Sequence, residues 1–181
     1  MNNLKNIRLL GESVDDALGE TFDKVARIFD LPYPGGPEIE KHAKHGNELA
    51  FKLPIPVIKN NNLNMSFSGI KTAVNLLAKR TKIDKIFLED LCASFQLCVS
   101  KILISKLSDA IKELENKSIN ITSISIVGGV SNNEYIHKKI NDFSKIKNLP
   151  LLLPLKEMMS DNAAMIAWAC ISKYKFKEDI F

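Results

Sequence analysis

Ile126-Val127-Gly128-Gly129-Val130-Ser131-Asn132-Asn133 is the stretch on which the fold turns. A β-branched run from Ile121 ends in paired glycines, and small and polar residues follow where a helix begins. Such a strand–turn–helix lets a nucleotide approach the backbone without meeting a side chain, and it aims helix N–H groups at anionic or ribosyl oxygens. Asn132 and Asn133 can then hydrogen-bond a ribose or a base edge. The same string also reads as a well-capped strand–helix turn and nothing more.

Downstream, the helix is expected to run from about Ser131 or Asn132 to Phe143. Leu151-Leu152-Leu153 reads as a second buried strand, stopped by Pro154. Ser160-Asp161-Asn162 then repeats the turn, with Ser160 as cap of a last helix rich in alanine, small-sided enough to pack closely. A carboxylate such as Asp161 at the carboxyl edge of a parallel sheet can hold a metal or a phosphate-bound cation. Equally, it can stabilise the first helical turn. Both turns are expected at one sheet edge.

Upstream, Ile7-Arg8-Leu9-Leu10 reads as a short strand, and Ser13 as the cap of a helix with Asp15 and Asp16 in its first turn. Val14, Ala17, Leu18, Phe22, Val25, Ala26 and Phe29 give that helix its apolar stripe. Asp16, Glu20 and Asp23 share its other face, either solvated or directed at a cation or hydroxyls. Pro32-Tyr33-Pro34-Gly35-Gly36-Pro37 ends it in a rigid turn that brings backbone N–H groups close together. A short helix from Glu38 to about His45 follows, then a Pro-broken edge strand at Ala50–Pro54, a turn at Asn60–Asn62 and a helix from Gly69 to Lys79. Asp84 to about Glu115 carries the longest helical period in the chain. Strand–helix alternation at both ends of a helical block makes the fold α/β, in one domain.

The 181 residues are 45% hydrophobic and 25% charged, which suits one globular domain with a real core. No apolar run approaches the roughly 20 residues of a membrane span, and the first residues hold no signal core, so the protein is expected to be cytoplasmic. Cys92 and Cys98 fall in apolar helix and read as buried and inert. His42 and His45 lie three apart on a polar helix and His137 is isolated, a pattern of surface histidines rather than of a zinc site. The net charge of +4 comes almost wholly from lysine, with arginine only at Arg8, Arg27 and Arg80. That balance is weak support for nucleic-acid binding. The basic tail Lys173–Lys177 reads as solvated.

Several strings together carry a resemblance. Gly11-Glu12-Ser13-Val14-Asp15-Asp16-Ala17, Gly19–Ala26, Tyr33-Pro34-Gly35-Gly36-Pro37, Ser66–Thr72, Gly128–Asn133 and Ser160–Ala167 resemble, in order, the TsaD/Gcp family. That family comprises the tRNA threonylcarbamoyladenosine transferase subunits once called O-sialoglycoprotein endopeptidases. The resemblance implies an actin/Hsp70/sugar-kinase-like fold (the ASKHA class), of which residues 1–181 supply the C-terminal lobe, with a helical insertion at about 37–116. It implies transfer of a threonylcarbamoyl group from threonylcarbamoyl-AMP to adenosine 37 of ANN-decoding tRNAs. Asp23, Gly36, Asn133, Gly128 and Gly129 match nucleotide- or substrate-binding positions, and Asp161 matches a ligand of one iron or zinc ion. ATP, ADP or threonylcarbamoyl-AMP is the expected occupant of the cleft, and tRNA and the other subunits of the synthesis complex are the expected partners.

The resemblance also marks a departure. The family's metal-binding His-x-x-x-His is found nowhere in this sequence. The first lobe is therefore expected to be absent, together with the first two strands of the second, which occupy the middle of the sheet. The sheet is expected to be incomplete, so that the chain must re-pair its strands, self-associate or meet a separate N-terminal lobe. The isolated chain is expected to be inactive. A non-catalytic fragment that binds a nucleotide or a partner is the alternative. A metalloendopeptidase is disfavoured, since no glutamate stands beside a metal-binding histidine pair.

Overall fold

The structure is a computed structural model and describes residues 7–56, 63–159 and 162–175. Phe22, Val25 and Ala26 form the buried face of α1 (Leu18–Ile28). This helix starts later than a Ser13 cap predicts. Ser13 instead bridges Met65 in parallel: Val14 N–H donates to the Met65 carbonyl at 2.9 Å, and Met65 N–H to the Glu12 carbonyl at 2.8 Å. The carboxylates expected in the first turn of α1 serve other partners. Asp15 accepts from the Phe67 N–H at 2.8 Å and from the Ser66 and Ser68 hydroxyls at 2.5 and 2.8 Å, and so ties down the start of α3 (Ser68–Arg80). Tertiary pairing has outcompeted the local cap.

α2 (Gly35–Ala43) begins three residues before Glu38, and its first turn accommodates Pro37 because N–H groups there need no helical acceptor. Close packing on α1 explains Gly35: a Cβ would lie 2.5 Å from the Ala26 Cβ and 2.9 Å from the Asp23 Cα.

α4 (Lys85–Asn116) runs as its period predicts, capped by Asp84, whose side chain accepts from the Phe87 N–H at 2.8 Å. From Leu91 to Ser100 every residue except Leu97 is buried. Such a segment belongs in the middle of the molecule, and α1, α2 and α5 gather around it. Phe95 meets Phe22 edge to face with ring centres 4.9 Å apart. Among the described residues the expected edge strand at Ala50–Pro54 pairs with no strand; the Phe51 N–H donates to Ser94 Oγ of α4 at 3.1 Å instead.

β1 (Ile124–Ser125), α5 (Glu134–Ile146) and β2 (Leu151–Leu152) make a strand–helix–strand unit. The strands pair in parallel, Ile124 with Leu151 and Ser125 with Leu152, which agrees with the α/β reading. The molecule is otherwise helical. The strands are shorter and more exposed than the sequence suggests, with Val127 72% and Leu152 52% accessible. Strands bury both faces only within a wide, covered sheet, and among the described residues this sheet has two strands. The expected strand at Ile7–Leu10 does not form, and Leu9 is exposed. Between β1, α4 and the Leu10–Gly11 segment runs an apolar groove of 480 Å³, lined among others by Leu63, Leu103, Leu107 and Ile126.

α6 (Ala163–Lys175) does not pack as its small side chains predict. None of its described residues is buried, and Ile166 and Trp168 stand exposed. The Met165 N–H at its start donates to Asn162 Oδ1 at 2.9 Å. Ser160, Asp161, the Asn60–Asn62 turn and the last residues of the basic tail lie outside the described residues.

Candidate functional site

Three helix-forming segments meet at one cleft of 540 Å³. Asp23 comes from the buried side of α1, Gly36 from the first turn of α2, and Gly129 and Asn133 from the turn that leads into α5. These four residues, 110 positions apart at the extremes in sequence, are neighbours on the cleft wall, together with Tyr33, Glu40 and Asn132. Gly128 is not among the lining residues. It takes φ +92°, a left-handed conformation that favours glycine, and so makes the turn itself. Ser131 closes that turn, its hydroxyl and N–H both donating to the Gly128 carbonyl, at 2.6 and 3.0 Å.

Gly36 and Gly129 lack the positive φ of Gly128. A Cβ at either would meet no atom within 4 Å, so neither glycine is required by packing. Their missing side chains keep the cleft open to a ligand.

The polar groups are held firmly. Asp23 Oδ1 accepts from the Gly35 N–H at 2.8 Å and thereby caps α2, leaving Oδ2 without a protein donor among the described residues. Glu40 of α2 reaches the start of α5, its Oε1 accepting from the Glu134 N–H at 2.7 Å. Asn133 caps α5, its Oδ1 accepting from the Ile136 N–H at 2.9 Å, while its Nδ2 donates to Gln96 Oε1 of α4 at 2.6 Å. Asn132 Oδ1 is a buried acceptor with no donor among the described residues, a costly state unless something else supplies one.

No lysine, arginine or histidine lines the cleft among the described residues. Its two carboxylates already occupy N–H groups at the starts of α2 and α5, the groups that would otherwise draw a phosphate. The wall is thus rich in acceptors and suits hydroxyl and amine donors.

The acidic stripe expected on α1 is divided. Asp16 precedes the helix and pairs with Lys24 at 2.5 Å and Lys71 at 3.4 Å, and Glu20 pairs with Lys24 at 2.8 Å. The hydrogen bond from Lys24 keeps the Asp16 carboxyl below its usual range, and its charge and that of Lys71 add to this. Asp23 alone of the three reaches the cleft. Glu40 and Gln96 escaped the sequence reading. The one available signal was Gln96 itself, a polar residue inside the most apolar stretch of α4.

Burial raises the Cys92 thiol to about 12 and the Cys98 thiol to about 11, in keeping with an inert pair, whereas Cys170 is exposed. Among the described residues no three His, Cys, Asp or Glu side chains converge as a metal would need. The expected iron or zinc ligand, Asp161, lies outside the described residues. Among the same residues no helix is long and apolar enough to cross a membrane.

The sequence model of TsaD, tRNA N6-adenosine threonylcarbamoyltransferase, matches residues 1–168. The chain belongs to the TsaD family. A TsaD relative from Rickettsia bellii (strain OSU 85-389), named tRNA N6-adenosine threonylcarbamoyltransferase, is 43% identical over 173 residues, 94% of this chain and 51% of its own. Relatives of the same name from Thermosipho africanus and Wolbachia pipientis wMel are each 46% identical, covering 93% and 91% of this chain and 50% and 48% of theirs. The chain therefore spans about half the length of these relatives.

Proposed function

We propose that this chain holds the nucleoside end of the substrate in a tRNA threonylcarbamoyladenosine transferase. The observation that carries the reading is the convergence of Asp23, Gly36, Gly129 and Asn133 on one cleft. Asp23 accepts from ribose hydroxyls, Gly36 and Gly129 leave room for the sugar and base, and Asn133 hydrogen-bonds the ligand. The acceptor-rich wall favours adenosine over its phosphates, which then lie outside the cleft, as in threonylcarbamoyl-AMP, ADP or ATP. Gly128 serves this site by shaping its turn. On this reading residues 1–181 form the C-terminal lobe of an ASKHA fold, with the helices at about 37–116 inserted in it.

In the whole transferase Asp161 would be one ligand of a bound iron or zinc, which would supply Lewis-acid chemistry at the acyl or phosphate end; the described residues form no cluster of three such donors. The transferred group goes to adenosine 37 of tRNA in concert with the other subunits of the complex.

The test is transfer from threonylcarbamoyl-AMP to unmodified tRNA, with this chain alone and with a polypeptide supplying the remaining half of a relative. Activity only in the mixture, lost with Asp23→Ala, supports the reading. Full activity of the chain alone refutes its incompleteness. Adenosine binding without activity in any mixture favours the non-catalytic fragment instead.

A further inference from the structure

Gln96 sits in the middle of α4, 2% exposed, with Phe95, Cys92 and Val99 buried around it. Its Oε1 accepts from Asn133 Nδ2 at 2.6 Å, joining the central helix to the cleft wall across 37 positions. The other end of the same amide is held too, Asn133 Oδ1 accepting from the Ile136 N–H. An asparagine amide offers one carbonyl and two N–H donors. Here the carbonyl is bound to the helix and one N–H to Gln96, so on a residue that lines the cleft a single N–H has no partner among the described residues.

One anchor leaves an amide free to turn about it. Two anchors fix its plane, and with it the direction of the remaining N–H. We propose that Gln96 is a positioning residue that locks the Asn133 amide, so that at this point the cleft presents a donor and its ligand must bring an acceptor. Asp23 and Glu40 present acceptors nearby, so the wall reads donor and acceptor groups of the ligand at separate places. An apolar residue at position 96 would fill the same core space without a buried amide to satisfy. Its oxygen is what the site gains from glutamine. This inference rests on the reading of the cleft as a nucleoside site.

The test uses the full 181-residue chain, with ADP and adenosine as titrants in calorimetry and with Asn side-chain amide signals followed by nitrogen-15 NMR. Gln96→Glu keeps an acceptor for Asn133 Nδ2 and should recover part of the binding that an apolar residue at this position loses. Gln96→Leu removes it and should bind roughly three- to tenfold more weakly, with the Asn133 amide signals displaced. In an Asn133→Ala background Gln96→Leu should have no further effect. Asn133→Asp, which still caps α5 but sets an oxygen against Gln96 Oε1 and has no N–H to offer, should lose binding, with its fold checked separately by urea unfolding. It tests the donor claim even if Gln96→Leu does not fold. Unchanged binding by Gln96→Leu or by Asn133→Asp, while the parent binds, overturns this inference alone. Failure of the parent to bind either titrant removes the nucleoside reading, and this inference with it.

Discussion

The Asp23 carboxylate accepts the Gly35 N–H at 2.8 Å, so one hydrogen bond both caps α2 and fixes a wall of the cleft. The two duties separate by substitution. Asp23→Asn retains the capping oxygen and should melt within a degree or two of the parent, yet bind adenosine more weakly for want of the charge. Asp23→Ala loses the cap as well, at about 1 kcal/mol, and should melt about 2–4 °C lower. Calorimetric melting and titration of the three proteins side by side decide this. Equal adenosine affinity in all three removes Asp23 from the site.

Adjacent glycines should behave oppositely. Gly35→Ala drives a Cβ to 2.5 Å from the Ala26 Cβ and should destabilise the α1–α2 contact by about 1–3 kcal/mol. Gly36→Ala places its methyl in open cleft and should leave stability equal or slightly higher. Its adenosine affinity should fall instead. Urea unfolding read beside titration separates the two outcomes.

Acid should loosen the junction of α1 and α3. Partial desolvation works to raise the Asp15 carboxyl, but the Phe67 N–H and the Ser66 and Ser68 hydroxyls outweigh it and bring it down from 3.8 to about 2. A carboxyl lowered by folding contributes stability above its unfolded value and loses it as protons bind. The contribution is therefore complete above pH 4 and disappears as pH falls towards 2. Asp15→Asn should be less stable than the parent at pH 6, and the difference should narrow below pH 4. A gap that is constant from pH 6 to pH 2 would contradict this assignment.

Thiol titration should find one reactive group. Cys170 is exposed, whereas burial keeps Cys92 and Cys98 protonated at neutral pH. Ellman's reagent should react with one equivalent in the native chain and with three in guanidinium chloride. Rapid reaction of a second native thiol would mean that α4 opens far more readily than its packing suggests.

Much of the helical frame was legible in the sequence. The period of Leu91, Phe95, Val99 and Ile102 marks α4 almost to the residue, and Asp84 caps it as an N-terminal acid should. The Gly128–Gly129 turn could be read because the chemistry of a turn lies within a few residues, but the helix after it starts at Glu134 with Asn133 as its cap, later than Ser131 or Asn132. The strands read less well. Ile7–Leu10 and Ala50–Pro54 have strand composition, but composition supplies no partner, and the backbone of the second is met by the Ser94 side chain. Ser13 failed as a cap for the same reason, since Met65 claims its backbone from 52 positions away.

The candidate site divides along the same line. Asp23, Gly36, Gly129 and Asn133 were picked out by their motifs, but no motif states that they share a wall. The roles of Glu40 and Gln96 were not legible, because they are defined by residues 94 and 37 positions away; Gln96 stood out only as a polar residue in an apolar stretch. By itself the sequence determined where helices run, where the glycine turn falls and which family the chain resembles, since each depends on residues close in the chain. Only the tertiary structure decided that Asp15 serves α3, that Asp23 and Glu40 occupy the starts of α2 and α5, and that the Asn133 amide is held from both ends. Those choices are competitions between hydrogen-bond partners, and the winning partner is the one that packing brings within 3 Å.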